Sequence, residues 1–314
     1  MRGNRKMLNE FYKNIGMKGF FERYGMLNAL RRGMFLANPV HIVNDYEIKK
    51  VLWQKKVSKS VKKYLIYSET VPEGLKFGEE KVDNPIWIYW NSGMENAPEI
   101  VKRCYESVLK YGNQNVILLT EKNISKYIIF PDYIVKKTEN KQIPFAVYTD
   151  LMRFALLEHY GGTWMDATVY LTDYIPEFIR ISAFFVFRNA MGLLDNPVLY
   201  PVWFIHSEKG NEIIRAVRNV VFSYWRKENH IKEYLLSNLI MTEVIKSFST
   251  IEKEIPYMDS EYSERLIRIV ADKYDEKEVK WMKQLTSIHK LTYKLDSAID
   301  QEDTIYRHLI ENNF

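Results

Sequence analysis

Cysteine is almost absent from this chain of 314 residues, in which Cys104 stands alone. That excludes an intramolecular disulfide framework and a cysteine-cluster metal site, and it fits a reducing compartment such as the cytosol. Long apolar runs are absent too. None approaches the roughly 18 residues that a spanning helix needs, and no apolar stretch of signal-peptide length follows the basic N-terminus. The chain contains neither GxGxxG nor GxxxxGKS/T, so neither a dinucleotide fold nor a P-loop is supported. It has no GxSxG elbow and no Cys–His arrangement that would make Cys104 a nucleophile. None of the histidines has zinc-site spacing, and there is no internal repeat.

What is present is a chain able to fold. Apolar residues make up 46% and aromatics 14%, enough for a substantial core and against disorder. The net charge of +5 hides an asymmetry. Residues 1–63 hold 15 Lys/Arg against 4 Asp/Glu, or +11, and the remainder holds 30 against 36, or −6. In the basic arm, Phe11, Tyr12, Ile15, Phe20, Phe21, Tyr24, Met26 and Leu27 alternate with Lys13, Lys18, Arg23, Arg31 and Arg32. That mixture suits an interfacial helix on anionic lipid. Packing of the aromatics onto the body accounts for it equally well, and nucleic acid is the weakest of the three readings.

Periodicity and punctuation divide the rest. A helical segment over residues 1–75, with its longest helix at Val40–Tyr67, ends in a linker marked by Pro72, Gly74 and Gly78. Strands are expected at Ile86–Trp90, Asn115–Thr120, Thr163–Leu171 and Ala183–Phe187, with helices at Ala97–Tyr111 and Pro144–Tyr160 between them. Such alternation predicts an α/β fold with a parallel sheet and a ligand site at the strand C-termini. After Pro201 the chain reads as mostly helical, with helices at Gly210–Trp225, His230–Phe248 and Asp300–Asn312.

The densest signal lies between Thr149 and Thr168. Gly161 and Gly162 stop a helix that carries Asp150 and Arg153, and the apolar strand after them contains Asp166. A carboxylate in such a strand needs a cation or donors to offset its desolvation. Its functional reading is a ligand to Mg²⁺ or Mn²⁺ on a nucleotide diphosphate, because hard cations bind through few carboxylates plus phosphate oxygens. The plain alternative is a strand-end aspartate bonded to a turn. Asp150 and Arg153, three apart, share a helix face and point into a site unless they form an ordinary ion pair. Trp90 at its strand end suits stacking on a base or sugar as well as core packing. Lys290, Thr292 and Lys294 share one face of a short strand, where they would meet a diphosphate or simply water.

Together, Ile86-Trp87-Ile88-Tyr89-Trp90, Tyr148-Thr149-Asp150-Leu151-Met152-Arg153, Tyr160-Gly161-Gly162-Thr163-Trp164-Met165-Asp166-Ala167-Thr168 and Lys290-Leu291-Thr292-Tyr293-Lys294 resemble the bacterial capsular polysaccharide synthesis glycosyltransferases, relatives of the DXD-motif mannosyltransferases. The likeness covers about residues 80–295. It implies a GT-A-like nucleotide-sugar-binding domain over those residues, with the helical segment 1–75 before it and a helix in 296–314 packed on it. It also implies Mn²⁺ or Mg²⁺, nucleotide contacts from Asp150 and Arg153, and metal binding at Asp166. The motif departs from Asp-x-Asp, since Thr168 replaces the second carboxylate. His289 is then the nearest candidate for a further metal ligand, and Glu233 the candidate for an acceptor or catalytic contact.

The reading that follows is a cytoplasmic hexosyltransferase, peripheral at the inner face of the cell membrane. It moves a sugar from a nucleotide-sugar to a glycan or lipid-linked oligosaccharide with retention, and has no nucleic-acid partner. Two rivals stand beside it. A metal-dependent nucleotidyl or phosphoryl transferase should cluster several carboxylates, and a non-catalytic membrane or polymer scaffold gives no reason for the Gly-Gly-strand-Asp arrangement.

Overall fold

The computed structural model describes residues 16–37, 45–65, 71–113, 115–190, 195–295, 302–311 and 314. In chain order its elements are α1 (Gly16–Ala37), α2 (Tyr46–Val61), β1 (Lys76–Phe77), β2 (Ile86–Tyr89), α3 (Glu99–Tyr111), β3 (Val116–Leu119), β4 (Ile128–Ile129), α4 (Asp132–Glu139), α5 (Phe145–Tyr160), β5 (Gly162–Met165) and β6 (Val169–Leu171). They continue with α6 (Glu177–Arg180), β7 (Phe184–Val186), β8 (Phe204–Ser207), α7 (Glu212–Lys227), α8 (Leu236–Ser247), α9 (Ser249–Glu252), α10 (Ser260–Ile269), α11 (Glu276–Leu285), β9 (Ile288–Lys290) and α12 (Ile305–Ile310). Phe11, Tyr12, Lys13 and Ile15 of the basic arm lie outside the described residues.

Five strands form the central sheet in the order β3-β2-β5-β8-β7. β2 runs parallel to β3 and to β5, as the strand–helix alternation predicts. The sheet is nevertheless mixed, because β8 runs antiparallel to both β5 and β7. β8 fell in a stretch expected to be helical. Its four residues, Phe-Ile-His-Ser, are too short to show a period, and only pairing on both sides makes them a strand.

β2 is buried on both faces, which is why it reads as an unbroken aromatic and aliphatic run. Trp87 and Tyr89 enter one core with α5, α7 and α8, whereas Ile86 and Ile88 enter the other with α3, α10 and α11. The described part of segment 1–75 is not a body apart from the sheet. Phe20, Tyr24, Trp53, Val57, Val61 and Tyr64 belong to the same apolar core as Leu151 of α5 and Phe222 of α7. α2 is shorter than the helix expected at 40–67 because the Asp45 carboxylate caps it, accepting from the amides of Glu47 and Ile48. α1 is broken at Gly25, whose φ of 68° leaves the helical region and lets His230 approach so closely that a Cβ would lie 2.5 Å from its ring. At the other end, α12 buries Ile305 and Leu309 in the second core, as the expected closing helix should.

The strand expected at Thr163–Leu171 is two strands. β5 ends at Met165, and the Val169 amide donates to the Asp166 carbonyl to turn the chain. β6 then leaves the sheet to pair with β9, Val169 opposite Lys290. Asp166 therefore follows the end of β5, where cations and donors from neighbouring elements can reach its carboxylate and offset its desolvation. Entry into β5 depends on Gly162. Its φ is 96°, and a Cβ there would stand 2.2 Å from the Pro85 carbonyl oxygen, which accepts the Thr163 amide at 2.8 Å. Gly162→Ala should cost roughly 3 kcal/mol, from a positive φ forced on a side chain and a backbone clash. Urea unfolding monitored by circular dichroism measures it, and a change under about 1 kcal/mol would contradict this account.

Candidate functional site

Asp150 and Arg153 lie one turn apart on α5, a helix otherwise lined with buried Leu151, Met152, Phe154 and Leu157. Arg153 is 4% exposed, so its charge must be met within the protein. Its Nη1 donates to the Val202 carbonyl. Its Nη2 lies 3.2 Å from Asp150 Oδ1 and 3.0 Å from Asp166 Oδ1, and the guanidinium carbon stands 5.0 Å from the centre of the Trp164 ring. One planar cation thus ties helix, strand end and the chain before β8 together, a task suited to a guanidinium's several donors.

A second cation comes from β9. Pairing of Val169 with Lys290 sets the Lys290 ammonium 3.1 Å from Asp166 Oδ2 and 2.6 Å from the Thr168 hydroxyl. Trp164 Nε1 donates to Asp166 Oδ1 at 3.1 Å. Burial pushes the Asp166 carboxyl up, but Lys290, Arg153 and these hydrogen bonds outweigh it and hold the group below its ordinary pKa. At Asp150 burial wins. Its pKa is raised despite Arg153 and the Ser237 hydroxyl, which donates to Oδ2 at 2.6 Å. Two neighbouring carboxyls are thereby pushed apart, Asp150 upward and Asp166 downward.

This cluster lies in the wall of a cavity of about 830 Å³. Trp90, Asp150, Arg153, Asp166, Lys290 and Lys294, all expected at a site from sequence, line it together. Trp90 meets Tyr293 edge to face at 5.4 Å, and Tyr293 is 46% exposed. Trp87, by contrast, is core, its indole nitrogen donating to the Gly161 carbonyl at 2.9 Å.

Two candidates fall elsewhere. Glu233 does not line the cavity; it is 1% exposed and ion-paired with Arg32 Nε at 3.3 Å. The helix expected from His230 begins only at Leu236, and the loop before it delivers Glu233 to α1 and Tyr234 to the cavity. His289 is fully buried and also absent from the lining. Its Nε2 lies 3.1 Å from the Thr172 hydroxyl, and burial lowers its pKa to about 3. Alternation along β9 puts Lys290 on the cavity side and so takes His289 away from Asp166.

Among the described residues no group of three or more His, Cys, Asp and Glu gathers as a metal cage. A cation held chiefly by diphosphate oxygens asks for less, one or two carboxylates. Asp166 fits that requirement, provided Lys290 yields part of its hold on Oδ2. The sequence reading missed Ser237, Trp203, Tyr234 and Glu264, which touch the cluster or line the cavity. They lie outside the helix–Gly-Gly–strand block that carried the local signal: pairing of β8 with β5 brings in Trp203, and the C-terminal helices and the loop before α8 bring in the others.

A family model described as capsular polysaccharide synthesis protein matches residues 36–309. The chain belongs to that family. The match runs from the end of α1 into α12, across both boundaries drawn from the sequence. No curated protein matches. Among solved structures, the PaToxG glycosyltransferase is similar at 16% identity, with 85% of this chain and 98% of that one covered, at a TM-score of 0.37. That superposition is too loose to argue from.

Removing the shared cation should expose its cost. Arg153→Met removes the cation that Asp150 and Asp166 share, leaving Asp166 with Lys290 and Asp150 with the Ser237 hydroxyl alone, and should destabilise the fold by about 3 kcal/mol. Adding Asp166→Asn should recover part of that loss. Urea titrations of the single and double variants decide it; additive losses would mean that Arg153 does not bridge the two carboxylates.

Proposed function

We propose that this cavity holds a nucleotide-sugar and that the chain transfers its hexosyl group to a glycan or lipid-linked acceptor. The observation that carries the reading is the Asp166–Arg153–Lys290 cluster, two fixed cations around one ionised carboxylate, in a cavity with aromatic walls. Breaking the bond from C1 to a nucleoside diphosphate leaves negative charge on the departing phosphates, and fixed cations stabilise that charge most where water is excluded. Arg153, Lys290 and Lys294 are the groups to supply it, with Trp90 and Tyr293 as stacking surface for the base. Mn²⁺ or Mg²⁺ anchored by Asp166 would add Lewis-acid neutralisation of the same phosphates. Retention at C1 is part of the proposal on the resemblance alone.

The test is thermal denaturation with UDP and GDP, each with and without Mn²⁺. A diphosphate at about 100 times its dissociation constant should stabilise the fold by about 2.7 kcal/mol. Asp166→Asn should abolish the Mn²⁺-dependent part of that shift. No shift from any nucleoside diphosphate would overturn the reading.

We also propose a place for the molecule, the cytoplasmic face of an anionic membrane. No helix among the described residues is long and apolar enough to cross a membrane. On α1, however, Met26, Leu27, Leu30 and Met34 are 71%, 60%, 49% and 66% exposed. On α2, exposed Ile48 and Leu52 are followed on the same face by exposed Lys56 and Lys59. An apolar face followed by lysines suits lipid headgroups, each engaged cation contributing about 1 kcal/mol. Truncation is not a usable test, since Tyr24, Trp53 and Val57 are core. Leu27→Ser with Leu30→Ser removes exposed apolar surface only. Full-length protein should sediment with phosphatidylserine vesicles and release in high salt, and the double variant should stay in the supernatant. Equal sedimentation of both would remove this face from the proposal.

A further inference from the structure

The cavity extends beyond the diphosphate cluster. Trp90 follows β2, Asp166 follows β5 and Trp203 precedes β8, with Met165 paired to Phe204. Because β5 lies between β2 and β8, Trp203 stands on the far side of Asp166 from Trp90. α10 lines the cavity too, through Glu264 and Ile267, three residues apart and so on one helix face.

Glu264 is unlike the other acids here. Asp150 and Asp166 are both held by Arg153, and Glu261 on the same helix is paired with Arg268 at 2.6 Å. Glu264 makes no hydrogen bond or ion pair with any described residue, although it is partly buried. Burial raises its pKa, Glu261 adds to the effect, and Arg268 and Lys290 oppose it without cancelling it. A carboxylate drawn out of water without a partner is an uncompensated cost that ligand donors can offset. The diphosphate of a nucleotide-sugar, esterified at both ends and ionised at neutral pH, has no donors to give and would be repelled. Sugar hydroxyls are donors without charge, and beside Glu264 the wall is apolar at Ile267 and at the small exposed part of Trp203, whose ring is otherwise buried against Phe187.

We propose that Glu264, Trp203 and Ile267 form a saccharide subsite in which Glu264 accepts hydrogen bonds from ring hydroxyls. This rests on the transferase reading. The ring belongs to the transferred sugar or to the acceptor, and both present the same hydroxyl chemistry.

The experiment compares full-length wild type, Glu264→Gln and Glu264→Ala. Saturation-transfer NMR with methyl glycosides of glucose, galactose, mannose and N-acetylglucosamine reads saccharide binding, and thermal shift with UDP and GDP reads the nucleotide end. Both variants should bind the preferred glycoside at least tenfold more weakly, the size expected for one charge-assisted hydrogen bond, and keep the nucleotide shift. If the subsite holds the transferred sugar, KM for the donor rises in hydrolysis and transfer alike. If it holds the acceptor, donor hydrolysis is unchanged and only the acceptor KM rises. Unchanged glycoside binding and KM values in Glu264→Ala would overturn the subsite, as would nucleotide binding lost in step with saccharide binding. Wild-type protein that binds no nucleoside diphosphate would instead defeat the transferase reading, so the two failures are distinguishable.

Discussion

A single guanidinium, shared by two carboxylates, is the contact on which this architecture turns. Arg153 joins a helix, a strand end and the chain entering a neighbouring strand. Each of the three charges would be prohibitive alone at this depth, and together they are tolerable. The arrangement also moves their titration in opposite directions, Asp166 downward and Asp150 upward.

The sheet supplies the geometry that makes this possible. β5 is flanked by a parallel strand on one side and an antiparallel strand on the other. The C-terminal end of β5 therefore faces both the loop leaving β2 and the chain entering β8. A purely parallel sheet would have put the start of β8 at the opposite edge and left Arg153 without the Val202 carbonyl. The small β6–β9 ladder then carries Lys290 to Asp166, over a sequence separation of 124 residues.

How much of this was legible depended on distance along the chain. Asp150, Arg153 and Asp166 fall within 17 residues of one another, joined by a helix period and a glycine pair, so their convergence could be read directly. Lys290 was recoverable because alternation in a short strand marks a face, whereas the strand stops at Lys290 and Lys294 reaches the cavity from the chain beyond it rather than from the expected strand face. Glu233 and His289 do not line the cavity, whereas their neighbours Tyr234 and Lys290 do, and one residue along the chain decides which of each pair reaches it. Glu264 carried no sequence signal, since an acid on an amphipathic helix is ordinary until packing leaves it unpaired. The basic arm was ambiguous between lipid and core; Phe20 and Tyr24 pack inward, and Met26 and Leu30 are exposed.

The break at Gly25 has a mechanical consequence. It brings the first helix against His230, and on either side of that contact Arg32 holds Glu233 while Arg23 lies over the ring of Tyr234 at 5.1 Å. Tyr234 is cavity wall. The helix that exposes Met26, Leu27, Leu30 and Met34 is therefore one side chain removed from the cavity, through the contact of Arg23 with Tyr234.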